Sequence, residues 1–187
     1  MYKKPETWAM TFQNYVTLTM LRNHITKTDK QIKLMERSMY SARYCFVEKM
    51  LSSGVLHEGM YHVLQEWYDF INEHHKVQCD LIIYLRTSPE VVYERMQARA
   101  RSEESLVPLE YLKDLHELHE NWLINGQFYR PAPVHIIDAN LDLDNIISEY
   151  IRSESSILKP IPASIHIDNT NQVCLTASPS KRERGMY

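Results

Sequence analysis

The chain has 187 residues, 44% of them hydrophobic, enough to bury one core and too few for a second full domain. A formal charge of −3 and a pI near 6.3 exclude a general polyanion binder, because nucleic-acid domains carry a strong basic excess. No apolar stretch approaches the roughly 20 residues that span a bilayer, so no membrane or nucleic-acid partner is expected.

In chain order, residues 7–24 place Trp8, Phe12, Tyr15, Val16, Thr19 and Met20 at three- and four-residue steps, which predicts a helix with one buried face. Residues 33–35 predict a short strand, residues 41–52 a helix stopped by Gly54, and residues 59–75 a helix with Met60, Val63, Leu64, Trp67, Phe70 and Ile71 on one side. Residues 81–85 form an unbroken apolar run, the pattern of a strand covered on both faces. Ser88 as N-cap, Pro89 at the first helical position and Glu90 in the first turn predict a helix over 89–100. A further helix over 108–125 is closed by Gly126, a strand follows over 134–138, and Asp144 is placed to cap a last helix to residue 152. Alternation of strand and helix implies parallel pairing with crossover helices, hence an α/β fold.

Prolines with scattered Ser, Thr and Asn then mark a change of character, giving a domain over 1–157 and a disordered tail over 158–187. Ser178-Pro179 ahead of the basic run 181–184 has the form of a phosphosite or import signal, a form that short basic segments match by chance. Cys45, Cys79 and Cys174 lack metal-type spacing and fit free thiols in a reducing compartment. His116-Glu117-Leu118-His119-Glu120 is not a zinc site of the HExxH kind, because its histidines are three apart rather than four.

The segment Lys33-Leu34-Met35-Glu36-Arg37-Ser38-Met39-Tyr40-Ser41-Ala42-Arg43-Tyr44-Cys45-Phe46 runs from an apolar stretch into an acid, a guanidinium and a hydroxyl before a helix begins. Open α/β sheets bind ligands beyond the carboxyl ends of their strands, which would turn Glu36 and Arg37 toward a substrate. This segment closely resembles the Glu-Arg-Ser signature of the deoxyribonucleoside kinases, and the similarity runs to about residue 156, nearest to the insect multisubstrate and mitochondrial thymidine kinase branch.

The resemblance implies a P-loop-kinase-like, three-layer parallel-sheet fold that uses ATP and Mg2+ to phosphorylate the 5′-hydroxyl of a deoxynucleoside, as a homodimer. It makes Glu36 and Arg37 the catalytic pair, with Arg37 at the 5′-hydroxyl and Glu36 organising magnesium indirectly. Gln13 reads the pyrimidine edge and Phe46 stacks on the base, while Phe12, Val16, Met20 and Ala42 line a roomy pocket of the thymidine-accepting type. Tyr2 and Glu104 bind the sugar 3′-hydroxyl. Arg95, Arg99 and Arg101 form a lid over the phosphates, and Asp142 and Leu143 belong to the loop against the donor adenine.

Such a kinase needs Gly-x-x-x-x-Gly-Lys-Ser/Thr, because glycine lets backbone amides close around phosphates while the lysine reaches their oxygens. The four glycines here, at 54, 59, 126 and 185, are none of them followed by lysine. The family's general-base segment, Glu-Pro-x-Glu-x-Trp, is also absent. By family topology the missing first strand lies mid-sheet, between residues 33–35 and 81–85. Losing about five to ten ladder bonds at about 1 kcal/mol each would consume much of a domain's stability of about 5 to 15 kcal/mol. The expectation is therefore an N-terminally truncated form with impaired activity. Its alternatives are a non-catalytic remnant pairing with full-length subunits and a nucleoside monophosphate kinase, and its location is the cytoplasm or, alternatively, the mitochondrion.

Overall fold

The computed structural model describes residues 4–75 and 77–158, with the backbone only at Glu103, and the two short strands Ile165–Ile167 and Val173–Leu175. The helices are α1 (Pro5–Ile25), α2 (Met39–Ser41), a π-helical stretch Ala42–Val47 continuing into α3 (Glu48–Ser52), α4 (Glu58–His74), α5 (Pro89–Arg99), α6 (Leu109–Leu123) and α7 (Leu143–Ile157). Strands β1 (Ile82–Arg86) and β2 (Val134–Asp138) pair in parallel, with Ile82 opposite Val134 and Arg86 opposite Asp138. Two strands joined through α5 and α6 are the α/β crossover that the alternation predicts. β3 (Ile165–Ile167) and β4 (Val173–Leu175) pair antiparallel within the predicted tail, whose remaining residues from 159 on lie outside the described ones.

The core is a cluster of Met39, Tyr40, Tyr44, Cys45, Tyr68, Ile71, Tyr84, Trp122 and Leu123, so the segment after Arg37 packs against α4, β1 and α6. A second cluster joins Ala9, Val47, Met50, Leu56 and Leu64, and Phe46 touches both. Tyr44 stacks on Phe128 at 5.1 Å and shares a 2.9 Å hydrogen bond with the Tyr68 hydroxyl, which gives that buried oxygen its partner. Complete burial pushes the Cys45 thiol up to about 12, leaving it an inert packing group.

Four expectations are corrected. Residues 33–35 are not a strand: an extended run becomes one only with a ladder partner, and β1 pairs only with β2 among the described residues. Lys33 instead donates its Nζ to the α1 C-terminal carbonyls of Asn23, His24 (3.0 Å) and Thr26 (2.7 Å), and Leu34 is 80% exposed. The helix α1 does not have one apolar face but two, a buried stripe through Ala9, Gln13, Val16 and Met20 and an exposed one through Trp8, Phe12 and Tyr15. The cap of α7 is Asp142, which accepts from the Asn145 N–H at 3.0 Å, not Asp144, whereas Ser88 stands at the N-cap of α5 as expected, without a side-chain hydrogen bond. Finally, β1 is not covered throughout, since Leu85 stays half exposed. The glycine stops are as expected, with Gly54 at φ +72° and Gly126 at φ +67°.

Candidate active site

Helix α1 packs against α2 and the π-helical stretch, and this contact gathers most of the predicted nucleoside residues. Gln13 is 2% exposed on the buried stripe, and its Nε2 is buried without a hydrogen-bond partner. A buried amide donor left unpaired costs about 1 to 3 kcal/mol. Ala42 is buried across from α1, and Val16, Met20 and Phe46 are half-buried. Phe12 departs from the prediction, lying 45% exposed on the outer stripe, because it sits one helical step away from the Gln13 face.

Arg37 is the joint between the extended segment and α2. Its φ of +63° is a left-handed conformation that disfavours side chains, so the backbone there is held under strain by what surrounds it. The following Ser38 caps α2 reciprocally with Ser41, their side chains meeting each other's backbone N–H at 3.3 and 3.1 Å. The Arg37 guanidinium lies 4.5 Å from the centre of the Phe46 ring, a cation–π contact. Arg37 and Glu36 are exposed and, among the described residues, make no side-chain hydrogen bond or ion pair.

Residues from α6 and β1 border this region. His119 stacks on Tyr84, and its Nδ1 lies 2.7 Å from the Leu115 carbonyl, so Nδ1 carries the proton. Burial, helped by the charge of Arg37, pushes its imidazole below the ordinary value and keeps it neutral. Glu120 accepts from the Tyr84 hydroxyl at 2.9 Å and takes Arg86 in a fork at 3.0 and 2.6 Å. Burial alone would lift the Glu120 carboxyl, but Arg86 and Tyr84 outweigh it and hold the group below its ordinary 4.5. The contribution of this pair to stability is thus present above 4.5 and lost as pH falls through the depressed value. Melting temperatures of the wild type and Glu120→Gln, followed from pH 7 to pH 3, are expected to converge on acidification; a constant gap would contradict the linkage.

The lid residues are placed differently from one another. Arg99 spans both Glu104 oxygens at 2.8 and 2.7 Å, with Arg101 3.7 Å from the same carboxylate, just past the left-handed Ala100. Arg95 does not stand open for phosphate: it donates to the carbonyls of Ala139 (2.6 Å) and Leu141 (2.8 Å), tying α5 to the loop after β2. Asp142 in that loop is held below its ordinary value by the Asn145 N–H, and Leu143 is 71% exposed. Tyr2 lies outside the described residues. A cavity of about 320 Å³ opens at the carboxyl ends of β1 and β2, between Arg86, Ser88, His116, Asp138 and Asn140, and a second of about 220 Å³ lies beside Ala100 and Glu104. Neither is lined by Gln13.

Magnesium prefers one or two carboxylates plus waters and phosphate oxygens. Glu36 fits only the indirect part of that set, and among the described residues no cluster of three or more His, Cys, Asp or Glu is placed to hold a metal. No helix of the described residues is long and apolar enough to cross a membrane.

Sequence reading missed two features. The Arg86–Glu120–Tyr84 network carried no signal beyond the common charge pattern of a helix. The buried Arg43, whose contacts are described below, carried none, since an arginine in a helical segment is ordinarily exposed.

Comparison with known proteins identifies the family. The chain is 44% identical over 161 residues to the mitochondrial thymidine kinase 2 of Homo sapiens, covering 86% of this chain and 61% of that protein, and likewise to that of Macaca fascicularis. It is 36% identical over 157 residues to the deoxycytidine kinase of Rattus norvegicus, covering 76% of this chain and 60% of that one. It thus spans about six-tenths of the length of these relatives. The model of the deoxynucleoside kinase family matches residues 1–163, which takes in every element from α1 to α7 that builds the site, and the chain therefore belongs to the deoxynucleoside kinase family.

Proposed function

We propose that these residues form the acceptor half of a deoxyribonucleoside kinase, which binds a pyrimidine deoxynucleoside, thymidine in preference, for transfer of the ATP γ-phosphoryl group to its 5′-hydroxyl. The observation that carries the reading is the unpartnered, buried Gln13 Nε2 on α1, the helix that packs against the π-helical stretch bearing the Phe46 ring under Arg37. Thymine offers an N–H beside a carbonyl; an amide matches both, its oxygen accepting and its nitrogen donating, and a flipped amide matches cytosine. Phe46 supplies a face for the ring, and Arg37 brings a fixed positive charge to the hydroxyl end, where negative charge develops in the transition state. Glu104 takes the sugar hydroxyl by releasing Arg99, which turns that arginine toward phosphate.

The base seat is closed in the unliganded chain, since Gln13 is 2% exposed and neither the cavity at the strand ends nor the one beside Ala100 is lined by it. Thymidine therefore enters by displacing the half-buried Met20 and Phe46, and binding is coupled to that opening. ATP supplies the phosphoryl group, but the residues present do not fit its triphosphate by themselves: the Gly-Lys loop does not occur in the 187 residues and Arg95 is engaged with carbonyls. The 187-residue polypeptide is accordingly expected to bind thymidine without phosphorylating it. Calorimetric titration and a product assay test this; absence of thymidine binding, or tighter binding of thymidine monophosphate as a monophosphate kinase requires, contradicts the reading.

A homodimer belongs to the same proposal. The exposed rings of Trp8, Phe12 and Tyr15 on α1 and of Trp67 and Phe70 on α4 are apolar surface of the kind a second copy covers. Light scattering is expected to give twice the chain mass for the wild type and the single mass for Trp67→Glu; a monomeric wild type overturns this part. The mitochondrial naming of the thymidine kinase relatives favours the mitochondrion over the cytoplasm.

A further inference from the structure

Beneath the site lies an arginine that the proposed reaction does not use. Arg43 is 7% exposed, in the π-helical stretch Ala42–Val47. Its guanidinium pairs with Glu48, donates to the Tyr61 hydroxyl at 2.7 Å and to the Gln65 side-chain oxygen, and lies 4.8 Å over the Tyr61 ring. The Tyr61 hydroxyl in turn donates to Glu48 at 3.0 Å. Burying a guanidinium is unfavourable unless it is paired, and here both terminal nitrogens are engaged while Nε is buried without a partner.

Residues five apart on an α-helix point about 140° away from each other, so Arg43 and Glu48 could not meet there. A π-helix closes its hydrogen bonds from i to i+5 and brings them to one side. The ion pair and the widened turn thus require each other. The same six residues carry Ala42 and Phe46, and the Phe46 ring is the one beneath Arg37.

We propose that Arg43 is a positioning residue: its contacts with Glu48, Tyr61 and Gln65 hold residues 42–47 in the π register, and that register places the Phe46 ring under Arg37. Its effect on nucleoside binding rests on the function proposed above; its effect on Phe46 does not. Lysine is a poor substitute, since a single ammonium on a flexible stem reaches Glu48 without spanning Tyr61 and Gln65 as the planar fork does.

The test is NMR of the unliganded 187-residue chain. The Arg37 side-chain protons, lying over an aromatic face, are shifted upfield, and Phe46→Leu identifies them by returning them to ordinary positions. Arg43→Met and Glu48→Gln are each expected to return them too, and Arg43→Lys to return them in part. Retention of the upfield shift in either folded variant overturns the proposal; Glu48→Gln and Tyr61→Phe decide it if Arg43→Met does not fold. Thymidine affinity is expected to fall about tenfold in Arg43→Met and to fall no further when Arg43→Met is added to Phe46→Leu, whereas fully additive losses contradict the coupling. A wild type that binds no thymidine overturns the functional reading, and the ring-shift comparison still decides the positioning one.

Discussion

Replacing Gln13 by leucine is expected to stabilise the unliganded chain while weakening thymidine binding about tenfold to a hundredfold. The two effects have one cause. The Gln13 Nε2 is buried with no partner, so the free chain bears the desolvation of an unsatisfied donor, which the proposed nucleoside would satisfy. Leucine fills similar space without that donor, which stabilises the fold by about 1 kcal/mol and raises the melting temperature by about 2 to 4 °C. In the complex the same change leaves the polar edge of the base facing hydrocarbon, at about 1 to 3 kcal/mol. Thermal melts and calorimetric titration of the two chains check both signs. A destabilised variant would mean that Gln13 is satisfied within the fold, and an unchanged affinity that the base sits elsewhere.

The second large effect is at Arg37. Joined to the phosphate-loop portion of a relative, the chain is expected to phosphorylate thymidine, and Arg37→Met to lower kcat about a hundredfold to a thousandfold with a much smaller change in KM. An interaction strengthened in the transition state lowers kcat in this way, while uniform binding raises KM. The left-handed backbone at Arg37 and its seat over Phe46 fix the guanidinium before charge develops, which is what makes it worth more than a mobile surface cation. Steady-state kinetics decide between the two: a rise in KM alone would reduce Arg37 to a binding residue.

Much of this was legible in the sequence because it is local. The extent of α4, the proline start of α5, the glycine stops and the strand at residues 134–138 each depend on residues close in the chain, although of the apolar side read for α4 Val63, Trp67 and Phe70 are exposed. Residues 33–35 read as a strand for the same local reasons, but a strand is completed by a neighbour, and the ladder partner is not among the described residues. Helix α1 read as one-faced because periodicity counts apolar residues without knowing which stripe meets the core; the polar Gln13 is buried while Trp8 and Tyr15 are exposed. The pairing of Arg43 with Glu48, five residues on, was not read at all, because it forms across the π turn and no local pattern announces that turn. Arg95 enters the lid only through the resemblance, and the sequence does not show that in the unliganded chain it is held by the carbonyls of Ala139 and Leu141.

The account turns on the base being read by the α1 amide beside the Phe46 and Arg37 stack. Titrating thymidine into the isotopically labelled 187-residue chain and following the Gln13 side-chain amide tests this most directly. The account predicts that these two proton signals move downfield as they gain an acceptor, together with the Phe46 ring and Arg37 resonances. Perturbations confined to the cavity around Arg86, Ser88 and Asn140, with the Gln13 amide unmoved, would contradict it.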